Sequence, residues 1–145
     1  MARVSTYVNF PGTTEEAFTF YKKVFGTDFH GPIMRFGDMP AMDDGPQLTD
    51  AEKNMIMHIE LPILGGHMLM ATDMLSSMGH ELRIGNNTTI NLEPDTTADA
   101  DRIYALLSED SPECVPPMMM GWGAYWGTCL DKFGIRWMFN VAVTE

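Results

Sequence analysis

Long apolar runs are missing from this 145-residue chain: none approaches the roughly 20 residues that cross a bilayer as a helix, so no membrane-spanning segment is expected. The opening residues, MARVSTYVNF, lack the apolar centre of an export signal, and a cytoplasmic protein is the expectation. Basic residues are also scarce. Nine Lys and Arg face 20 Asp and Glu, a net charge of −11. Such a surface repels phosphate backbones and anionic bilayers, which argues against nucleic-acid and membrane partners. The two cysteines, Cys114 and Cys129, have no C-x-x-C spacing and no adjacent basic residue to favour a thiolate. They read as bystander thiols in a reducing compartment.

What is present is the composition of one folded domain, 1–145. Hydrophobic residues make up 45% and charged residues 20%, enough for a substantial core. Fourteen methionines are the unusual feature. Flexible and polarizable, they suit an adaptable apolar interior or pocket.

The hydrophobic periodicity places the elements. A strand is expected over Arg3–Phe10, followed by a helix in PGTTEEAFTFYKKVFG. There Thr13 and Glu16 have capping-box spacing and Gly26 supplies the stop. Phe18, Tyr21 and Phe25 share a helical face. A second strand is expected over Thr27–Phe36, then a loop over 37–54 that could cover a site. MIMHIELPILGGHMLMATD reads as a hairpin turning at Gly65-Gly66. A two-residue turn there pairs Leu64 with His67, Glu60 with Ala71 and His58 with Asp73. After an irregular stretch, TTINLEP is a strand and DTTADADRIYALL a helix with acidic residues in its first turn. Further strands close the chain, DKFGIRWMFN being the last.

YVNFPGTTEEAFTFYKKVF and TINLEPDTTADADRIYALL repeat one pattern: a short strand, a Pro- and Thr-containing turn, then a helix. Each is followed by about three more strands. The expected fold is therefore α+β, built of two βαβββ modules over 1–75 and 86–145, each a curled mixed sheet backed by its helix.

YVNF, FYKKVFG, MRFGDMP, MHIELPILGG, DADRIYALL, Trp122-Gly123 and DKFGIRWMFN occur here in one order. In that order they resemble the PhnB-like, demethylubiquinone methyltransferase-like branch of the glyoxalase/bleomycin-resistance/dioxygenase (vicinal oxygen chelate) superfamily. The resemblance covers nearly the whole chain. It implies paired βαβββ modules whose sheets curl around a cleft, and a homodimer, with a domain-swapped exchange of modules as an open alternative. Methyl transfer itself is not expected, because no glycine-rich strand-to-helix turn is present to hold a methyl-donor nucleotide.

Metal-dependent members of the superfamily place four ligands on inner strands. Aligned on FYKKVFG, those positions are Thr6, Glu60, Thr89 and Met138, leaving one carboxylate of four. Threonine hydroxyls and a thioether are poor ligands for hard or borderline divalent ions. A divalent metal is therefore disfavoured, Glu60 with His58 being the sole candidates, and no cofactor is required.

His58 and Glu60 alternate onto one face of their strand and form a candidate catalytic pair for proton transfer. The blander reading is a polar stripe facing water. Candidate ligand-binding residues are Asn9, Met70 and Asp73, with Trp122, Trp137 and Met138 near the end of the chain. Asn9 and its counterpart Asn91 could instead satisfy backbone groups where strand turns into helix. His30, His67 and His80 carry no partner pattern. The functional expectation is a small apolar or aromatic ligand, with isomerase or transferase chemistry on it. The alternative is non-catalytic sequestration or sensing. A ring-cleaving dioxygenase ranks below both, since it needs two histidines and a carboxylate on facing strands.

Overall fold

A computed structural model of the chain describes residues 1–40 and 47–143. It divides into two compact units, Met1–Arg83 and Ile84–Glu145. The first unit holds β1 (Thr6–Phe10), α1 (Thr14–Phe25), β2 (Met34–Arg35), α2 (Asp50–Asn54), β3 (Ile56–Pro62) and β4 (Met68–Asp73). The second holds β5 (Ile90–Leu92), α3 (Thr97–Leu107), β6 (Glu113–Met119), β7 (Ala124–Leu130) and β8 (Arg136–Ala142). The sheet orders, β1-β4-β3-β2 and β5-β8-β7-β6, are the same circuit run twice. In each, the first strand lies parallel to the last and the other pairings are antiparallel. The α+β class and the repeated modules expected from the sequence are both present. Among the described residues no helix is long and apolar enough to cross a membrane.

In the first unit, α1 presents Ala17, Phe18, Tyr21 and Val24 to the sheet, where Ile59, Leu61, Leu69 and Ala71 are also buried. Phe18 meets Phe10 and Tyr21 edge-on, with ring centroids 6.3 and 5.7 Å apart. Gly26 ends α1 in the left-handed conformation (φ 65°), and its N–H donates to the Lys22 carbonyl, as its place in the sequence predicts.

The start of α1 differs from expectation. Thr13 makes no side-chain cap. The cap comes from β4 instead: Asp73 Oδ1 accepts from the backbone N–H of Gly12 (3.1 Å) and Thr14 (3.0 Å) and from the Thr14 hydroxyl (2.6 Å). Its Oδ2 accepts from the Ile56 N–H at 2.8 Å. This carboxylate, 2% exposed, ties the helix N-terminus and the entry to β3 onto the end of β4.

The expected two-residue hairpin turn is also replaced. Ile63 N–H donates to the His67 carbonyl, and Leu64–Gly66 form a 3-10 turn between them. The longer loop shifts the register by one, to Ile59↔Ala71 and Glu60↔Met70. A one-residue shift moves side chains to the opposite face. Asp73 thus lies on the helix side, away from His58, and is withdrawn as a ligand-binding residue. The strand expected over Thr27–Phe36 is reduced to Met34–Arg35. The loop expected over 37–54 falls partly on 41–46, outside the described residues. Its later part contains α2, opened by a capping box between Thr49 and Glu52. L-T-D-A-E carried that signal in the sequence.

In the second unit, α3 packs Ala100, Ile103 and Leu107 over a sheet whose buried residues include Leu92, Trp137, Phe139 and Val141. Asp131, 1% exposed, organises the β7–β8 turn. Its Oδ1 accepts from Phe133 and Ile135 N–H, and its Oδ2 from Trp137 Nε1 at 2.8 Å. Trp137 is therefore a core residue, and its expected ligand contact is corrected. On the edge strand β6, Pro116 and Pro117 face the single residue Gly127 in a bulge. A Cβ on Gly127 would stand 2.7 Å from Pro117 N.

Replacing Asp73 with Ala strands the N–H groups of Gly12, Thr14 and Ile56. The expected loss is about 3 kcal/mol or more of unfolding free energy, read from denaturant midpoints at unchanged slope. A loss under about 1 kcal/mol contradicts the role assigned to this carboxylate.

Candidate functional site

One face of the first sheet lies opposite α1 and carries several polar side chains. Strand alternation puts Tyr7 and Asn9 of β1, Met70 and Thr72 of β4, and His58 and Glu60 of β3 on it. The register makes Met70 the partner of both Tyr7 and Glu60, and Thr72 the partner of Asn9. Met34 on β2 pairs with His58.

Three of these side chains form a chain of hydrogen bonds. His58 Nε2 is 3.0 Å from Glu60 Oε1, and Tyr7 Oη is 3.3 Å from His58 Nδ1. The Tyr7 and His58 rings are tilted by 33° with centroids 5.9 Å apart. An ionised Glu60 can only accept, so a neutral His58 carries its proton on Nε2. Nδ1 is then the acceptor for the Tyr7 hydroxyl. The His58 and Glu60 side chains are 29% and 23% exposed, whereas Tyr7 is 48% exposed and forms the open end of the chain. His30 approaches from outside, with Nε2 4.0 Å from Glu60 Oε2 and its backbone N–H bonded to the Glu60 carbonyl.

The electrostatics follow from these contacts. The hydrogen bond from His58, aided by the charges of His58, His30 and Arg3, holds the Glu60 carboxyl below its ordinary value against the opposing effect of burial. Burial raises the Tyr7 phenol, an effect partly offset by its hydrogen bond with Thr72. A carboxylate kept ionised, an imidazole oriented by it and a phenol kept protonated are groups of the kind that general acid–base chemistry uses. Tyr7 is not among the site residues expected from the sequence. The signal that finds it is its two-residue spacing from Asn9, which puts both on one strand face.

The expected site residues divide by unit and by face. Asn9, His58, Glu60 and Met70 share the open face of the first sheet, and Asn9 is exposed. In the second unit, Met138 pairs with Asn91 and Thr128 on the face opposite α3. Trp122 sits in the β6–β7 turn, 67% exposed, edge-on to Trp126 with centroids 6.4 Å apart. A concavity of about 640 Å³ opens elsewhere on the first unit, lined by Pro11, Met55, Met74, Leu75 and His80 among others. Neither His58 nor Glu60 lines it.

The register also revises the residues set against the superfamily's metal positions. Thr6 pairs with Leu69, whose side chain is buried beneath α1, and its hydroxyl is 2.8 Å from His67 Nε2. The β1 residue that shares a face with Glu60 is Tyr7. A protonated phenol and a thioether at Met138 are no better than threonine for a hard or borderline divalent ion. Among the described residues, no group of three or more His, Cys, Asp and Glu side chains could hold one. The donor set does not fit a metal of that kind.

Glu60 supplies a direct check on the hydrogen-bond chain. Substituting His58 with Gln should raise the Glu60 carboxyl toward its ordinary value, read by carbon-detected NMR titration. A depressed folded-state value contributes stability that is complete above the ordinary glutamate value, about 4.3, and is lost as pH falls through the lowered one. The variant should therefore lose less stability than the parent over that acid window. An unchanged Glu60 titration contradicts the geometry.

Known proteins share this architecture. The chain is 28% identical to protein PA1353 of Pseudomonas aeruginosa, whose crystal structure it matches with a TM-score of 0.81 over 99% of this chain and 100% of that one. The PhnB protein from Bacillus cereus is 21% identical, with a TM-score of 0.74 over 97% and 100% of the two chains. Protein YjdN of Escherichia coli strain K12 is 24% identical over 143 residues, 95% of this chain and 94% of that one. The sequence model of one family matches residues 3–139. With its repeated βαβββ circuit and that match, the chain belongs to the Glyoxalase/Bleomycin resistance protein/Dioxygenase superfamily.

Proposed function

We propose that the protein binds a small apolar or aromatic molecule against the open face of its first sheet and moves a proton to or from it through Tyr7, His58 and Glu60. The observation that carries this reading is the continuous hydrogen-bond chain from the exposed Tyr7 hydroxyl through His58 to Glu60. Met70, between Tyr7 and Glu60 in the register, and Met34 beside His58 offer polarizable apolar surface to a flat ligand. Asn9 offers an amide to a carbonyl or hydroxyl of that ligand. Tyr7 is the group that meets the ligand. As the Tyr7 hydroxyl passes its proton to His58 Nδ1, the phenolate takes a proton from the ligand and Glu60 stabilises the imidazolium; Tyr7 then protonates the ligand at its new position and recovers its own proton from His58 Nδ1. The reaction class is an isomerisation or a related transfer driven by proton movement, with no methyl donor and no metal-dependent step. The reading extends to a cytoplasmic homodimer, as the resemblance to the family implies.

A second reading, sequestration without chemistry, draws on Trp122, whose large exposed ring is suited to stacking on a ligand.

A library of small aromatic and ketone compounds, screened by NMR, separates the two. The first reading expects hits whose shifts concentrate at Tyr7, Asn9, His58, Glu60 and Met70. It also expects deuterium uptake from D₂O into a hit, falling about 100-fold or more in Tyr7→Phe with binding retained. Binding at those residues without exchange favours sequestration. Hits confined to the surroundings of Trp122 contradict the site.

A further inference from the structure

Cys114 and Cys129 are 15 positions apart in sequence, and nothing in that spacing links them. The fold does. In the antiparallel pairing of β6 with β7 they are direct cross-strand partners, between the pairs Glu113↔Leu130 and Val115↔Thr128. Directly opposed residues point to the same face, with Cα atoms about 4.5–5.5 Å apart. That separation lies inside the span of about 4.4–6.8 Å that a disulfide bridges.

The surroundings place both sulfurs on the same side. Cys129 Sγ faces the last turn of α3, 3.5 Å from the Leu107 carbonyl. Cys114 lies close enough to Tyr104 of the same helix that both thiols act on that phenol, which is pushed up to about 12, chiefly by burial. The two thiols differ in access. Cys114 is exposed on the edge strand, while Cys129 is buried.

We propose that Cys114 and Cys129 form a reversible cross-strand disulfide, with Cys114 the entry thiol and a low-molecular-weight disulfide the oxidant. The Cys114 thiolate attacks one sulfur of the external disulfide. A Cys114–sulfur bond forms, the external S–S bond breaks, and the first thiolate leaves to take up the proton that Cys114 lost. Cys129 then attacks the Cys114 sulfur, forming the intramolecular bond and expelling the second thiolate, which takes the Cys129 proton. Two protein thiols are oxidised and one external disulfide is reduced to two thiols. The second step is the slow one, because burial pushes the Cys129 thiol up to about 11 and little of it is thiolate at neutral pH. The bond would lock the edge strand β6 to β7 on the far side of the Pro116-Pro117 bulge from the β6–β7 turn, closing the open end of that hairpin.

Oxidised glutathione is the probe, and the full-length protein is read by intact mass, peptide mapping and thiol count. The wild type should lose two titratable thiols, retain no glutathione at the end point, and yield a peptide pair joined through Cys114 and Cys129 that dithiothreitol separates. Cys129→Ser should stop at a stable Cys114–glutathione adduct. Cys114→Ser should take up at least tenfold less glutathione than Cys129→Ser, and it removes only the exposed thiol, so it tests the entry role even if the core variant folds poorly. A stable adduct on wild-type Cys114 with no intramolecular bond overturns the proposal, as does a wild type that keeps both thiols.

Discussion

The first unit depends on one buried carboxylate. Asp73 accepts hydrogen bonds from Gly12, Thr14 and Ile56, which belong to the α1 entry and the start of β3. A carboxylate out of water is tolerated only when it is fully hydrogen-bonded, and here each bond also fixes a piece of backbone. The helix N-terminus adds a favourable dipole. Because Asp73 ends β4, its contacts help hold β1, β3 and β4 in register. That register puts Tyr7, His58 and Glu60 on the opposite face. Asp131 plays a comparable part in the second unit by joining the β7–β8 turn to Trp137.

Outward-facing polar groups and core packing thus occupy opposite faces of the same short strands. On β4, Leu69, Ala71 and Asp73 face inward while Met70 and Thr72 face out. On β8, Trp137, Phe139 and Val141 are inside and Met138 and Asn140 outside. A single residue of register decides whether a side chain faces out or enters the core.

This explains which features were legible in the sequence. The repeated strand–turn–helix pattern, the helix stop at Gly26 and the shared face of His58 and Glu60 depend on local periodicity, and all are present. The register of the hairpin was not legible, because Gly65-Gly66 suits a two-residue turn as well as the longer loop that forms. That ambiguity put Asp73 on the wrong face. Trp137 was misassigned because aromatic density alone does not separate core from ligand wall, whereas its bond to Asp131 does. Tyr7 was overlooked because its partner is 51 positions away. The pairing of Cys114 with Cys129 is hidden by the Pro116-Pro117 bulge, which offsets β6 against β7 by one residue.

The central claim is that Tyr7, His58 and Glu60 are one connected array. Long-range nitrogen–proton NMR of the imidazoles tests it most directly, because it identifies which ring nitrogen carries the proton. The structure predicts that neutral His58 holds its proton on Nε2, toward Glu60, and that Tyr7→Phe shifts the Nδ1 signal while leaving that tautomer in place. Neutral His58 protonated on Nδ1, with no response to Tyr7→Phe, would contradict the account.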